Sequence, residues 1–250
     1  MTSDQFSAGA AGYRATMVPS LRPVAQRVVE RAALQPGERV LDLGTGTGSA
    51  AAVARGEGRE VVGVDAAPGM LAIAREEVRD VVFQEMDFSA LAFKDAAFDC
   101  LLAVHSLLFA VDRRATLAEW RRVTRPGGRL SLSVPGPVEV TSYAVYGEIY
   151  ARHGIVDPGR YPTPGELAGV AVDAGWIEVE TNSDPGHAIV LPDDDAFRVW
   201  RSIGSRGAAT ADWSPEKHAA LTEEMLAVTP RDPDGWLRIP FGAIYLIARS

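Results

Sequence analysis

The sequence predicts an α/β fold in which a mostly parallel sheet lies between two layers of helices. Between residues 40 and 134, short apolar runs alternate with segments whose apolar residues recur at helical spacing. Three of the runs lead into an aspartate, and a glycine-rich turn follows the first of them. Strands that alternate with helices are joined by crossover connections, which make the strands parallel and place helices on both faces.

A helix is predicted before the first strand, where Val24 and Val28 fall on one face of residues 21–34. The pair Pro36-Gly37 then interrupts the helical pattern. The apolar runs that follow predict strands at residues 39–44, 61–65, 81–87, 97–105 and 129–134. Helices are predicted between these strands, at residues 49–58, 66–78 and 113–124.

The alternation is less regular beyond residue 134. Tyr143, Tyr146 and Tyr150, at spacings of three and four, predict a helix. A further helix is predicted at residues 163–174 and a strand at residues 176–180. The chain closes with a predicted strand at residues 241–250.

About sixty residues separate the last two predicted strands. They include SPEKHAALTEEMLAV, where Ser214 and Pro215 suit the N-cap and the first position of a helix. An insertion of this length predicts a cap, a lid or an oligomer contact. We therefore predict one domain over residues 1–250. Its parts are an N-terminal helical lid (1–36), a ligand-binding core (37–136), a helical segment after the fifth strand (137–162) and an inserted helical cap (183–237).

Composition and charge exclude several classes of partner. The net charge is −8 and the isoelectric point about 5.1, so nucleic acid and anionic membranes are not expected to bind. The single cysteine, Cys100, rules out an intramolecular disulfide and a Cys-rich metal site, and its apolar neighbours predict a buried thiol. The first residues lack the basic start and apolar core of a secretory signal. We expect a cytoplasmic protein without a metal, either monomeric or homodimeric.

The stretch VLDLGTGTGSAA, residues 40–51, carries the strongest indication of a ligand. Its second half satisfies G-x-G-x-x-A, a variant of the dinucleotide-binding fingerprint that is weak alone. Asp42, two residues before Gly44, would repel a pyrophosphate but attract an ammonium group. Asp65 ends the next strand 21 residues after Gly44, at the spacing of an acidic group that accepts both ribose hydroxyls. Asp87 ends the third predicted strand and adds an acceptor near the expected position of an adenine.

Three acidic residues at successive strand ends, without a basic clamp, describe a ligand with a ribose and a cationic centre but no phosphate. S-adenosylmethionine (SAM) has this chemistry, whereas NAD and ATP fit poorly. Little chain remains for the substrate domain that a dehydrogenase needs. Two alternatives stay open, namely a Rossmann-type NAD(P)-dependent reductase and a protein that binds SAM without transferring its methyl group.

Four segments resemble, in order and spacing, the motifs of class I SAM-dependent methyltransferases: VLDLGTGTG, VVGVDAAPGML, MDFSALAFKDAAFDCLL and EWRRVTRPGGRLSLSV. The likeness is greatest to the small-molecule enzymes of the methyltransferase type 11 group, which are related to those of ubiquinone and menaquinone biosynthesis. It covers residues 13–134 well, and residues 163–180 and the final strand moderately. The resemblance implies a Rossmann-like fold, with seven mostly parallel strands of which the last is antiparallel.

The resemblance also implies roles for individual residues around SAM. Gly44 and Gly46 would let the backbone pass close to the methionyl part, and Thr45, where the family frequently has cysteine, would add backbone contacts. Asp42 would orient the ammonium group, and Asp65 would hold the ribose. The residues implied to contact the adenine are Ala66, Met70, Asp87 and Phe88. Val104 would line the methyl-donor cleft, and Tyr13 would fold over the cofactor.

His105 follows Val104 at the methyl-donor cleft and is the candidate catalytic base, with an expected pKa near the working pH. Methyl transfer is an in-line displacement at an activated carbon, so alignment is the main requirement. A base is needed only where the acceptor must lose a proton. Neither a metal nor a covalent intermediate is required, and the product is S-adenosylhomocysteine.

The acceptor is expected to be a small apolar or aromatic molecule. The absence of an NPPY-type motif after the fourth strand argues against methylation of nucleic-acid adenine or protein glutamine. The predicted helical segment and the cap would enclose the acceptor with the tyrosines named above and with Phe197, Trp200, Trp213 and Trp236. Surface or packing positions are expected for the remaining histidines, His153, His187 and His218.

Overall fold

The computed structural model describes residues 2–155, 161–203 and 210–250. Its strands, numbered along the chain, are β1 (Arg39–Leu43), β2 (Glu60–Asp65), β3 (Val82–Glu85), β4 (Phe98–Val104), β5 (Thr124–Val134), β6 (Ile177–Asp184), β7 (Ala188–Leu191), β8 (Leu237–Pro240) and β9 (Ala243–Arg249). Its α-helices are α1 (Ser3–Ala8), α2 (Ala10–Thr16), α3 (Val18–Ala32), α4 (Ser49–Ala54), α5 (Pro68–Glu77), α6 (Arg113–Val123), α7 (Ser142–Arg152), α8 (Pro164–Asp173), α9 (Asp194–Ser202) and α10 (Pro215–Val228).

A seven-stranded sheet forms the centre of the fold, in the order β3-β2-β1-β4-β5-β9-β6. The pairs among β1 to β5 are parallel, and β9 lies antiparallel between β5 and β6. The predicted sheet, mostly parallel with an antiparallel last strand, is confirmed. Val40, Leu41 and Leu43 of the central strand β1 are fully buried, because helices cover both faces of the sheet.

Several strand boundaries differ from those predicted, including the end of β6, which lies at Asp184 rather than at residue 180. β3 ends at Glu85, so Asp87 lies in the loop that follows. β4 ends at Val104 and leaves His105 just outside the strand. β5 begins at Thr124, well before its predicted start, because a register shift against β4 accommodates its Pro-Gly-Gly sequence.

The N-terminal region is helical, as predicted, and divides into three helices that contact different parts of the fold. α1 lies against α5, where the Gly69 amide donates to Ser7 Oγ at 3.2 Å. α2 lies so close to α9 that a Cβ added to Gly12 would be 3.1 Å from Val199. These helices therefore link the loop after β2 to the insertion that precedes β9.

The insertion between β6 and β9 contains strands as well as the predicted helices. β7 and β8 pair antiparallel in a two-stranded sheet, which the prediction of a helical cap did not include. Val190 of this sheet is tied to α3, because its amide donates to Ser20 Oγ at 2.9 Å. The N-cap prediction for α10 is confirmed, since Ser214 Oγ accepts from the Lys217 amide at 3.3 Å and Pro215 is the first helical residue.

The side chains of the sheet contribute to two apolar layers. Leu101 and Leu102, adjacent in β4, belong to opposite layers because strand side chains alternate. One layer packs under α6 and α8, where Trp176 Nε1 donates to the Leu117 carbonyl at 2.9 Å. The other packs under α3, α4, α7, α9 and α10. Cys100 is fully buried, as predicted, and burial raises the pKa of its thiol to about 12.

None of the helices within the described ranges has the length and apolar character needed to span a membrane.

Candidate functional site

A cleft opens where β1 and β4 reach their C-terminal ends, beneath the N-terminal helices. It brings together part of the predicted set, namely Tyr13, Asp42, Gly44, Thr45, Gly46 and Val104. Val18, Leu21 and Ala50 complete its apolar wall. Ligands of open α/β sheets bind outside the carboxyl ends of the strands, which is the place of this cleft.

The glycine loop, residues 44–48, turns sharply out of β1 through left-handed backbone conformations. Gly44 has φ +65° and Gly46 has φ +56°. A Cβ on Gly44 would lie 2.4 Å from the Cβ of Ser106, whereas a Cβ on Gly46 would have no atom within 4 Å. Gly44 is therefore required by packing, and Gly46 leaves open space beside the loop.

Asp42 is buried below the glycine loop and braces it. Its Oδ2 accepts hydrogen bonds from Thr45 Oγ1 at 2.6 Å and from the Ala51 amide at 3.1 Å. Burial raises the pKa of this carboxyl to about 6, although both hydrogen bonds oppose the shift. The threonine side chain thus has a bracing contact beyond the backbone role predicted for it.

Asp65 ends β2 and holds the loop from the other side. Its Oδ2 accepts from the Gly46 amide at 2.8 Å, and its Oδ1 accepts from the Ala67 amide at 2.9 Å. Burial raises the pKa of this carboxyl too. Each carboxylate oxygen can accept a second hydrogen bond, so the residue keeps capacity for hydroxyl donors.

The residues predicted to border an adenine differ in exposure. Ala66 is exposed, whereas Met70 is buried against Ala10 of α2 and beside Phe6 and Tyr13. The N-terminal helices thus cover Met70 in this conformation, and its contact with an adenine stays a prediction.

Asp87 and Phe88 lie in the loop after β3. Asp87 is exposed, and its Oδ1 accepts from the amide and the hydroxyl of Ser89, at 2.8 and 2.6 Å. The Phe88 ring lies 3.5 Å from the position of a Cβ on Gly44 and makes an edge contact with Trp120. Phe88 therefore borders the glycine loop, which is consistent with the predicted position beside the cofactor.

His105 is held in a left-handed conformation, with φ +57°, directly after β4. Its amide donates to the Ser133 carbonyl at 2.9 Å, and its Nδ1 lies 3.2 Å from Ser133 Oγ. Only 7% of the residue is exposed, and Nε2 has no hydrogen-bond partner among the described residues. Burial, with a smaller effect from His187, lowers the pKa of the imidazole to about 3. The expectation of a pKa near the working pH is therefore wrong.

Two residues near the cleft were not predicted as site residues. Ser106 contacts the glycine loop through its Cβ, and its buried Oγ lacks a partner within the described ranges. Its position just beyond a strand end is a signal that the sequence offers. His187 makes an edge contact with Phe241, as His105 also does. No local pattern in the sequence indicates that these two histidines meet at one ring.

The aromatic residues of α7 and of the insertion mostly form core rather than a cavity wall. Tyr146, Phe197 and Trp200 are fully buried against one another. Trp213 stacks on His153 at a centroid distance of 6.0 Å. Within the described ranges, no three or more His, Cys, Asp or Glu side chains are grouped so that they could hold a metal ion.

Comparisons with known proteins agree with this architecture. Residues 41–132 match a family described as "Methyltransferase domain". The chain is 31% identical over 182 residues to the demethylmenaquinone methyltransferase of Renibacterium salmoninarum, covering 66% of this chain and 77% of the relative. It is 40% identical over 134 residues to the enzyme of the same name from Thermus thermophilus, covering 51% of this chain and 61% of that one.

A solved structure of phosphoethanolamine N-methyltransferase 2 from Haemonchus contortus, in complex with S-adenosylhomocysteine, shares the fold. The TM-score is 0.64 at 17% identity, covering all of this chain and 60% of the other. A seven-stranded sheet with a glycine loop between two acidic strand ends defines the class I fold of SAM-dependent methyltransferases. The chain belongs to this family, in its type 11 group, as the motifs predicted.

Gly44→Ala is expected to destabilise the protein by about 2–5 kcal/mol, since a clash with Ser106 adds to the cost of a left-handed alanine. Gly46→Ala carries only the backbone cost, about 1–2 kcal/mol. Adding Ser106→Gly to Gly44→Ala removes the contacting carbon and should recover part of the loss. Urea unfolding of the single and double variants measures this coupling, and strictly additive losses would contradict the contact.

Proposed function

We propose that the protein binds SAM in the cleft and catalyses transfer of its methyl group to a small apolar or aromatic acceptor, leaving S-adenosylhomocysteine. When bound, SAM supplies a methyl group activated by a positively charged sulfur. The chain's own residues bind, orient and shield the two substrates, which is the main requirement of this reaction.

The hydrogen bonds of the glycine loop carry this proposal. The Thr45 amide donates to the Val64 carbonyl. The Gly46 amide donates to Asp65, and the Ala51 amide donates to Asp42. In a dinucleotide-binding loop such amides would face the pyrophosphate. Here they are engaged by protein acceptors, and two carboxylates lie where phosphates would sit. A cationic, phosphate-free nucleoside suits these groups, and the reductase alternative does not.

The predicted roles around SAM are part of the proposal. Asp42 orients the ammonium group, Asp65 accepts the ribose hydroxyls, and the open space beside Gly46 receives the methionyl part, next to Gly44, Thr45 and Val104. Ala66, Met70, Asp87 and Phe88 border the adenine. Tyr13 closes over the cofactor from α2.

We also propose that residues 1–36 act as a lid and residues 183–237 as a cap on the core at 37–136, with residues 137–162 between them. The contacts of α1 with α5 and of α2 with α9 support this division, because they join the cofactor side to the insertion. A cytoplasmic protein, monomeric or homodimeric, without a nucleic-acid or membrane partner, agrees with the charge.

The acceptor class rests on the names of the relatives and on the lining of the fold. Demethylmenaquinone, named for two relatives, points to a quinone-derived aromatic ring, so hydroxylated naphthalenes are the first acceptors to test. His105 remains the proposed base. Its pKa of about 3 keeps the imidazole neutral but makes it a weak base, and an acceptor hydroxyl would supply the hydrogen-bond partner that Nε2 lacks.

Asp65→Ala is expected to weaken SAM binding by about 1.5–3 kcal/mol, because hydrogen bonds to a charged acceptor are lost. Isothermal titration calorimetry measures this change, and Asp95→Ala, which alters an exposed ion pair with Arg122, serves as the matched control. Unchanged affinity in Asp65→Ala would contradict the ribose role. Titration of the unaltered protein with NADH distinguishes the reductase, which would bind NADH and ignore SAM.

SAM affinity is expected to rise as the pH increases through about 6. The folded protein holds the proton of Asp42 more tightly than the unfolded chain does, because folding raises the pKa of this carboxyl from 3.8 to about 6. The stability that this protonation contributes to the free protein is therefore fully present below pH 3.8 and is lost as the pH rises through about 6. A cationic ligand favours the ionised carboxylate, so the SAM dissociation constant should increase by up to about tenfold for each pH unit below 6.

Calorimetry between pH 5 and 7 tests this dependence, in a range where the amino group of SAM stays protonated. Asp65, whose pKa burial also raises, acts in the same direction. Asp42→Asn should therefore reduce the slope rather than abolish it. A slope equal to that of the unaltered protein would remove Asp42 from the ammonium site.

His105→Gln is expected to lower kcat by about 10²-fold on an acceptor that must lose a proton, the low end for a general base because the pKa of this imidazole is only about 3, with SAM affinity unchanged. Glutamine keeps a hydrogen-bonding side chain but cannot take up the proton. Single-turnover rates at saturating SAM provide the measurement. Normal turnover in this variant would exclude the base role.

A further inference from the structure

Two imidazoles meet at one phenylalanine beside the cleft. The ring of Phe241 lies 5.6 Å from that of His105 and 6.3 Å from that of His187, both in edge contacts. His105 follows β4, His187 precedes β7, and Phe241 precedes β9. The fold thus gathers three distant segments into one cluster, which we call the histidine cluster.

Both imidazoles in the histidine cluster have a buried nitrogen without a partner. Nε2 of His105 and Nε2 of His187 are inaccessible to solvent and form no hydrogen bond within the described ranges. Buried polar atoms are rarely left unpaired, because desolvation without a compensating hydrogen bond is unfavourable. Two such atoms around the same ring lack the polar partners that ordinary packing of histidines supplies.

The backbone fixes both histidines independently of their side chains. The carbonyl of His187 accepts from the amides of Phe241 and Gly242, at 3.0 and 2.9 Å. The amide of His105 donates to Ser133. Backbone hydrogen bonds hold both segments, and Nδ1 of His105 also lies 3.2 Å from Ser133 Oγ, so Nε2 is the nitrogen of each imidazole that no structural contact uses.

The histidine cluster is joined to the proposed site of methyl transfer by the chain directly after β4. Val104, which lines the cleft, directly precedes His105, and Ser106 contacts the glycine loop. Residues 182–186 next to His187 are exposed, which makes the turn before β7 the solvent side of the cluster.

We propose that His187 acts with His105 as a specificity-determining residue for the acceptor, and that both imidazoles recognise a neutral aromatic ring bearing a hydroxyl group. The inference rests on the proposed methyltransferase function. A hydroxyl both donates and accepts a hydrogen bond, so it matches either tautomer of each imidazole. Phe241 contributes an aromatic contact for the ring.

Charge excludes an anionic acceptor from the histidine cluster. Burial lowers the pKa of both imidazoles, so each is neutral at pH 7, and Asp184 is close enough to His187 to act on it electrostatically. A carboxylate or phosphate group would have to be desolvated there without a compensating cation.

The test compares 1-naphthol with 1-methylnaphthalene, which have similar shapes and differ by a hydroxyl in place of a methyl group. Binding of each to the protein saturated with S-adenosylhomocysteine is measured by fluorescence titration. The unaltered protein is expected to prefer 1-naphthol by roughly tenfold or more, as for one hydrogen bond of ordinary net strength.

His187→Leu should abolish this preference and leave the affinity for 1-methylnaphthalene and for SAM unchanged. His187→Gln, which can still form a hydrogen bond, should restore part of it. His153→Gln is the matched control, because His153 already pairs with Glu224 at 2.8 Å, and this variant should keep the full preference.

A full preference for 1-naphthol in His187→Leu would overturn the inference, as would an unaltered protein that binds the two probes equally or not at all. Loss of SAM binding in the unaltered protein would instead count against the proposed function. The same set of titrations therefore distinguishes failure of this inference from failure of the proposed function.

Discussion

The glycine loop after β1 is held between two carboxylates, and the rest of the site depends on this arrangement. Asp42 accepts from Thr45 and Ala51 beneath the loop, and Asp65 accepts from Gly46 beside it. Burying two carboxylates is unfavourable, and the raised pKa of each records that cost, to which the charge of Asp65 adds a smaller effect at Asp42. A cation brought between them relieves it. The loop is thus shaped by its own hydrogen bonds, and a cationic ligand is the partner that we propose for it.

Under the proposed function, the fold around this loop separates recognition of the two substrates. The strand ends on the β2 side supply acidic acceptors and small residues, which suit a nucleoside. The β4 and β5 side supplies neutral imidazoles and aromatic rings, which suit an apolar acceptor. Val104 lies at the boundary between these regions. A methyl group that is to move in line between two molecules requires such a boundary, since each partner must be fixed from its own side.

The core of the fold could be predicted from the sequence because its signals are local. Apolar runs and glycine turns fix the strands, and the spacing from Gly44 to Asp65 follows from one crossover unit. The two-stranded sheet of β7 and β8 could not be predicted, because its strands are only four residues long and lie far apart in the chain. The contact of His187 with Phe241 could not be predicted either, because these residues are also far apart in the chain. The pKa of His105 was also beyond local pattern, since it depends on burial beneath segments that are distant in the chain.

The position of β9 has a consequence for how the molecule assembles. This strand lies between β5 and β6, yet it follows the whole insertion along the chain. During synthesis β5 and β6 are therefore complete while the strand that joins them is still absent, and each presents an unpaired edge. Unpaired edges bind other extended chains, so this interval is when a nascent molecule is most exposed to misassembly. Parallel strands need crossover connections and pair slowly, so the sheet that β9 completes is itself slow to form and the period of exposure is long.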